Sequence, residues 1–441
     1  MGACVFREAP PERDPWSAAP AALGFCPDRC RRLDGFVWHL VAKGLMPMAQ
    51  VVVLRRGALV HYAGAGHLDV ERKLPLAPDT IFRMFSLSKP IVSLALLVLY
   101  EQGRFETFDA PISMYMPWFG RPSVYRGSAG SSCLPCLGGR CRCRRPAATE
   151  ITIKHLLTHT AGLGYAWASV SKGYQDLAHI FSSDTMSLQD VVKHLAQIPL
   201  LCDPGTEWHY GHSIDVVGAL IEILSGQSLE TFLQSQVFEP LGMVDTGFQV
   251  PDEKVHRFAS SYAVSFPTQE APEKCYRLLD DHTTSKWRKP RTGGLVGSRL
   301  VSTSIDYLRF AQLFLRGGVT ESGHQLLSRK TLEYALLNHL PGGADLETVG
   351  KKCTIPRNVC YRHGQGFSLA GLARIIDPAN YDCVCSAGEL AWCSAASGYM
   401  WIDPGEGITV IMQSQIMPDA AYNVRRHLHA LVYQALKNPE C

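Results

Sequence analysis

The stretch RMFSLSKPIV, residues 83–92, places a hydroxyl at Ser86 and a primary amine at Lys89, at the mouth of a long apolar run. Residues three apart share one face of a helix, so the amine can reach the hydroxyl oxygen one turn away. That pairing suits nucleophilic acyl transfer. A serine hydroxyl attacks poorly until a neighbouring group takes its proton, and a helix N-terminus adds positive potential that favours a developing alkoxide. The spacing recurs at Ser169 and Lys172, but Gly173 follows at once and no apolar helix comes after, so that copy is set aside. Serine is also a favoured helix cap, and spacing alone leaves a capping role open for Ser86.

A second group is needed to move protons. EWHYGHSIDVVGALIEILSG offers Tyr210 just ahead of another apolar helix. A phenol, with a reference pKa near ~10, becomes a base when a nearby cation such as Lys89 stabilises its phenolate. The other reading makes Trp208 and Tyr210 buried aromatics at a helix entry. His155, His159 and His209 are expected to be structural or solvent-facing, and Asp109 and Asp306 to serve caps or turns. The chain has no G-x-S-x-G elbow, no H-E-x-x-H pair and no phosphate-binding glycine loop.

These residues need a frame. Residues 28–44 carry apolar positions at helical spacing and end at Gly44. MAQVVVLRRGALVHYAGAGHLD then reads as a hairpin turning at Arg56-Gly57. Ile91–Leu99 is apolar on every side and stops near Gly103, which predicts a helix buried throughout. Pro90 fits its first turn, where a missing N–H costs nothing, so Ser86 to Ser88 belong at that helix's N-terminus. Helices are predicted from Thr152, with Gly162 as its C-cap, and over 187–198, 213–225, 228–237 and 304–316. The strands SGYMWIDP and GITVIMQSQ and a helix over 422–436 close the chain. Strands at both ends and helices between predict an α+β architecture: an antiparallel sheet flanked by helices and built from both chain ends, with an inserted, mainly helical domain. The expected units are an N-terminal segment at 1–25, a sheet domain from 26–100 and 290–441, and a helical domain at 101–289.

The chain has 441 residues, 46% apolar, enough to bury a sizeable core. Its net charge is +3, but six arginines and no acids fall in 121–149, so the remainder is slightly acidic and no nucleic-acid partner is implied. No apolar run is long enough for a membrane span. The opening MGACVFREAPPERDPW lacks the basic start and apolar stretch of a secretory signal; Gly2 and Cys4 suggest acylation, but Phe6 stands where a myristoylation signal wants Ser or Thr. Fifteen cysteines, odd in number and irregularly spaced, read as reduced thiols in a cytoplasmic protein. Residues 121–149 read as an inserted basic loop. Cys133, Cys136, Cys141 and Cys143 within it are the one zinc candidate, with spacing shorter than structural zinc sites use, and otherwise no metal or cofactor is expected.

Several blocks, in order, carry a resemblance: the stretch from Asp79 through SLSK to Phe119, ITIKHLLTHTAGL, PGTEWHYGHSIDVVGALIEILSG, LVSTSIDYLRFAQLFLRGG and GELAWCSAASGYMWIDP. Over about residues 26–430 the chain resembles the serine β-lactamase-like superfamily, with its β-lactamase/DD-peptidase-like fold, and within it the class C-related esterases and transesterases called family VIII carboxylesterases. The resemblance implies that Ser86 is the acylated nucleophile, Lys89 its proton-relay partner and Tyr210 the general base. Ser86 and Ala395 would supply the oxyanion-hole N–H groups. The family's third box, Lys/His-Thr-Gly or Trp-Gly-Gly, falls on Trp392, Cys393 and Ser394. Trp392 fits the esterase version, whereas side chains at Cys393 and Ser394 would narrow the groove of an edge strand. His212 stands where the lactamases carry Asn. Without a Lys or His at 392 to hold a carboxylate, the expected substrate is a small uncharged ester rather than a β-lactam. An acyltransferase and a binding protein of the same fold are the alternatives; oligomeric state stays open.

Overall fold

The computed structural model describes residues 5–6, 19–125, 144–165, 178–181, 185–265, 275–289, 295–351 and 363–437. The opening helix α1 (Pro27–Ala42) leads into β1 (Met48–Arg55) and β2 (Ala58–Asp69). Arg56 and Gly57 both take positive φ, 52° and 81°, as a two-residue hairpin turn requires. The sheet is completed from the far end of the chain by β3 (Gln365–Phe367), β4 (Ala373–Ile375), β5 (Leu390–Cys393), β6 (Tyr399–Asp403) and β7 (Ile408–Gln413). Spatial order is β2-β1-β7-β6-β5-β4-β3, antiparallel throughout, with Val5–Phe6 on the outer edge of β2.

In sequence, helices separate the two halves of the sheet: α2 (Ser88–Glu101), α3 (Ile153–Leu157), α4 (Leu188–Leu195), α5 (Ser213–Ser225) and α6 (Ser304–Leu315), with α7 (Val424–Ala435) closing the chain. Every residue of α2 from Ser88 to Leu99 is buried, and the helix packs along α5. Successive strand residues point to opposite faces. Leu390, Trp392, Met400 and Ile402 therefore join the core shared with α2 and α5, while Ala391, Cys393, Tyr399 and Trp401 join a second core under α1 and α7.

Two expectations need correction, on Gly162 and on 228–237, and the mainly helical middle gains detail. Helix α3 ends at Leu157, so Gly162 is not its cap; Gly162 has φ 77° and lies so close to the Cys202 carbonyl that a Cβ would sit 2.7 Å from it. The middle segment also carries strands, Ser261–Val264 and Tyr276–Asp280, which form a small sheet with Ile416–Met417. The helix expected over 228–237 divides into Leu229–Leu233 and a π-turn at Gln234–Phe238. Gly2, Cys4, the second Ser-x-x-Lys copy and Cys133, Cys136, Cys141 and Cys143 lie outside the described residues.

Candidate active site

Ser86 sits in a single 3-10 turn, Phe85–Leu87, directly ahead of α2. That turn is stitched to α6 and the segment before it. Met84 N–H donates to the Leu300 carbonyl (2.8 Å), Leu300 N–H donates to Ser88 Oγ (3.0 Å), and Tyr307 OH donates to the Leu87 carbonyl (2.9 Å). Phe85 is held at φ 45°, a left-handed conformation that costs a bulky residue on the order of 1–3 kcal/mol. His159 (φ 57°) and Ser397 (φ 62°) carry the same feature nearby. Such strain persists where the surroundings over-determine the backbone, as at functional sites.

Lys89 is buried, and its ammonium faces three oxygens: the Gly297 carbonyl at 2.8 Å, Ser298 Oγ at 3.2 Å and Ser86 Oγ at 3.2 Å. Its Nζ lies 4.9 Å from the centroid of the Tyr210 ring and 5.8 Å from that of Tyr165. The hydroxyl, the amine and the Tyr210 ring, separated by up to 124 positions in sequence, are thus one cluster. Tyr210 is wedged among rings: Trp208 stacks on it at 5.8 Å, and His159 (4.8 Å), Tyr165 (5.5 Å) and Trp392 (5.5 Å) surround it. Burial and the neighbouring Lys89 hold the His159 imidazole well below its ordinary pKa, so it is neutral and places no second cation beside the amine.

Two backbone donors stand open at this point. Among the described residues neither the Ser86 N–H nor the Ala395 N–H is spent inside the protein, and Ala395 is exposed just past the end of β5. β5 lies against the Ser86 turn. It is not an edge strand along its whole length: β4 pairs with Leu390 and Ala391, and the edge opens only from Trp392 onward.

The third box is arranged differently from expectation. Trp392 is buried against Tyr210 and Phe367, the latter ring at 5.3 Å, and so backs the site as part of an aromatic wall. Cys393 points to the opposite face of the sheet, into the core under α7, where burial pushes its thiol up to about 11. Ser394 is 1% exposed and its Oγ accepts the Ala396 N–H at 3.2 Å, tying the turn. Neither side chain narrows the groove. His212 is buried as well: its Nδ1 lies 3.0 Å from Asp215 Oδ2, and its ring meets that of Tyr165 edge-on at 4.7 Å.

The support beneath the site was not visible from spacing. Asp215 Oδ1 accepts the N–H groups of Val296 (2.8 Å) and Gly297 (2.7 Å), and Gly297 in turn receives Lys89 at its carbonyl. The Gly-rich run at 293–298 was the only sequence signal for this turn. The remaining candidates are structural. His155 and Thr152 form a reciprocal cap at the start of α3, Asp109 pairs with Lys154 at 2.7 Å, and Asp306 accepts Thr246 Oγ1 at 3.0 Å. Among the described residues two clusters bring three ligand-type atoms within 4.8 Å, but each is internally paired: His209 Nε2 with Glu207 (3.0 Å), and His282 Nδ1 with Asp69 (3.0 Å).

The geometry coincides with a family assignment. The Beta-lactamase family model matches residues 33–434, and the chain belongs to that family. Esterase EstB of Burkholderia gladioli is 34% identical over 236 residues, 52% of this chain and 54% of EstB. ML-236A carboxylate methylbutanoyltransferase of Penicillium citrinum is 32% identical over 190 residues, 41% of each chain. The solved structure of EstCE1, a hydrolase with promiscuous acyltransferase activity, superposes with a TM-score of 0.73 at 24% identity, covering 94% of this chain and 99% of its own. No single helix among the described residues is long and apolar enough to cross a membrane.

Proposed function

We propose that this chain is a serine hydrolase that cleaves small carboxylic esters through an acyl-enzyme on Ser86. The observation that carries the reading is the convergence of Lys89 Nζ on Ser86 Oγ, at 3.2 Å, beneath the Tyr210 ring. In this scheme Ser86 Oγ attacks the ester carbonyl while its proton passes to the Lys89–Tyr210 pair, and the carbonyl oxygen becomes an oxyanion facing the Ser86 and Ala395 N–H groups. Collapse expels the alcohol, which leaves with the relayed proton. Water, giving its proton to Tyr210, then attacks the acyl carbonyl, and that proton is relayed to Ser86 Oγ as the acid leaves. Trp392, Phe367 and Tyr165 line the neighbourhood with rings, which suits an uncharged acyl or alcohol group. A cytoplasmic setting belongs to the same proposal.

Transfer of the acyl group to an alcohol other than water is the second reading, favoured by the likeness to the methylbutanoyltransferase. The test is a pre-steady-state burst with p-nitrophenyl butyrate, with mass spectrometry of the trapped protein. The expected result is a burst and a butyryl adduct on Ser86, both lost in Ser86→Ala; unchanged hydrolysis in that variant overturns the assignment. Added alcohols that divert product from acid to ester would mark the transferase.

A further inference from the structure

We infer that Asp215 is the positioning residue for Lys89, acting through Gly297, with His212 holding Asp215 in turn; the inference rests on the Ser86–Lys89 chemistry proposed above. Asp215 lies in the first turn of α5, 2% exposed. A carboxylate buried to that degree must be fully hydrogen-bonded. Oδ1 takes two backbone N–H groups, those of Val296 and Gly297, and Oδ2 takes His212 Nδ1. The approach is close enough that a Cβ on Gly297 would stand 3.2 Å from Oδ1, so the glycine is part of the device.

The consequence lies at the other end of the same residue. Gly297 offers its carbonyl to Lys89 and Ser298 offers its hydroxyl, and an ammonium carries three hydrogens in a fixed tetrahedral fork. With two of them committed to adjacent residues of one turn, the third is aimed at Ser86 Oγ. Moving the turn swings that third position away from the nucleophile. The placement of charge matters too. A carboxylate in direct contact with the lysine would favour its protonated form. Here the carboxylate is spent on two backbone N–H groups and His212, and the oxygens it places at Nζ, those of Gly297 and Ser298, are neutral. Asp215 thereby fixes the direction of the amine without pinning its proton.

The experiment compares wild type, Asp215→Ala, Asp215→Asn and Gly297→Ala. It measures the rate of Ser86 labelling by a fluorophosphonate across pH and determines crystal structures of the variants. Asp215→Ala is expected to lose on the order of 10²-fold in labelling rate, the penalty of roughly 1 Å misplacement. Lys89 Nζ should leave hydrogen-bond reach of Ser86, and the acid limb of the pH profile should move to higher pH, because Tyr210 loses the cation that favours its phenolate. Asp215→Asn keeps an acceptor at Oδ1 and should recover most of that loss. Gly297→Ala, which strains the same contact from the other side, should lose rate if Asp215→Ala fails to fold. Wild-type labelling with an unchanged profile in either alanine variant, or Lys89 still seated on Ser86, overturns the inference. If wild type itself is not labelled, the esterase reading falls, while the position of Lys89 in the variant crystal still decides the role of Asp215.

Discussion

Trp392 and Cys393 are neighbours in the chain and lie on opposite faces of the sheet, so a motif comparison that treats them as one box assigns both to the same groove. The pleat decides otherwise. Trp392 packs on the Tyr210 side, and Cys393 faces α7 with 7% exposure. Replacing Cys393 by Gly, as in the Trp-Gly-Gly version of the box, therefore should not open the groove. The expected outcome is kcat/KM for butyrate and octanoate esters within about twofold of wild type. Stability should fall by about 1–2 kcal/mol, from a small buried cavity plus the glycine's backbone entropy. A severalfold gain for the longer ester would show that Cys393 restricts the groove after all. At this scale spacing left a capping role for Ser86 and a buried-aromatic role for Tyr210 open, and the proposed grouping of Ser86, Lys89 and Tyr210 came from the family resemblance of several blocks in order. Asp215 was not legible, because its partners are backbone N–H groups 81 and 82 positions away, and a backbone donor leaves no mark in a sequence.

Among the elements, α2 and the β1–β2 hairpin were readable from periodicity because burial alone determines them: one is apolar all round, the other β-branched about a two-residue turn. Gly162 misled for a physical reason. It looks like a helix stop but serves a close approach of two backbones, and composition does not separate those uses. Gly211, between Tyr210 and His212, is a second such approach. A Cβ there would sit 2.2 Å from the Leu163 carbonyl oxygen and 2.6 Å from Gly164, so the loop delivering Tyr210 lies flat on the segment that delivers Tyr165. Backbone cannot yield as a flexible side chain can. Gly211→Ala is expected to cost about 1–3 kcal/mol in denaturant unfolding. It should also lower the burst rate by more than tenfold, since Tyr210 moves with its loop. An alanine variant with full burst rate would mean that the Tyr210 loop is not held by this contact.

For the molecule as a whole, the sheet separates two cores, and the one under α7 holds a second cluster of ionisable groups on the back of β5. Tyr433 OH lies 2.7 Å from Glu389 Oε2 and 2.8 Å from Asp403 Oδ2, with Ser386 Oγ donating to Asp403 at 2.6 Å and His429 at 3.7 Å from Glu389. One phenol hydrogen cannot serve two carboxylates. The arrangement closes if Tyr433 donates to Asp403 while a protonated Glu389 donates to Tyr433. Burial, the leading cause, with the charge of Asp403 adding to it, pushes Glu389 up to about 8, in the same direction. An acid whose pKa is higher folded than unfolded binds more protons in the native state between the two values, so its stabilisation is complete below about pH 4.5 and drains away as pH rises through 8. The loss over that window is on the order of 3–5 kcal/mol, at about 1.4 kcal/mol per pH unit. Glu389→Gln keeps the shape and a donor for Tyr433 and has no proton to lose. Urea unfolding from pH 5 to 9 should therefore show wild-type stability falling steadily and the variant's curve nearly flat in this contribution, so that the two diverge most at the alkaline end. Parallel curves would mean that Glu389 is ionised in the native protein at neutral pH, and that Tyr433 and His429 accommodate its charge beside Asp403.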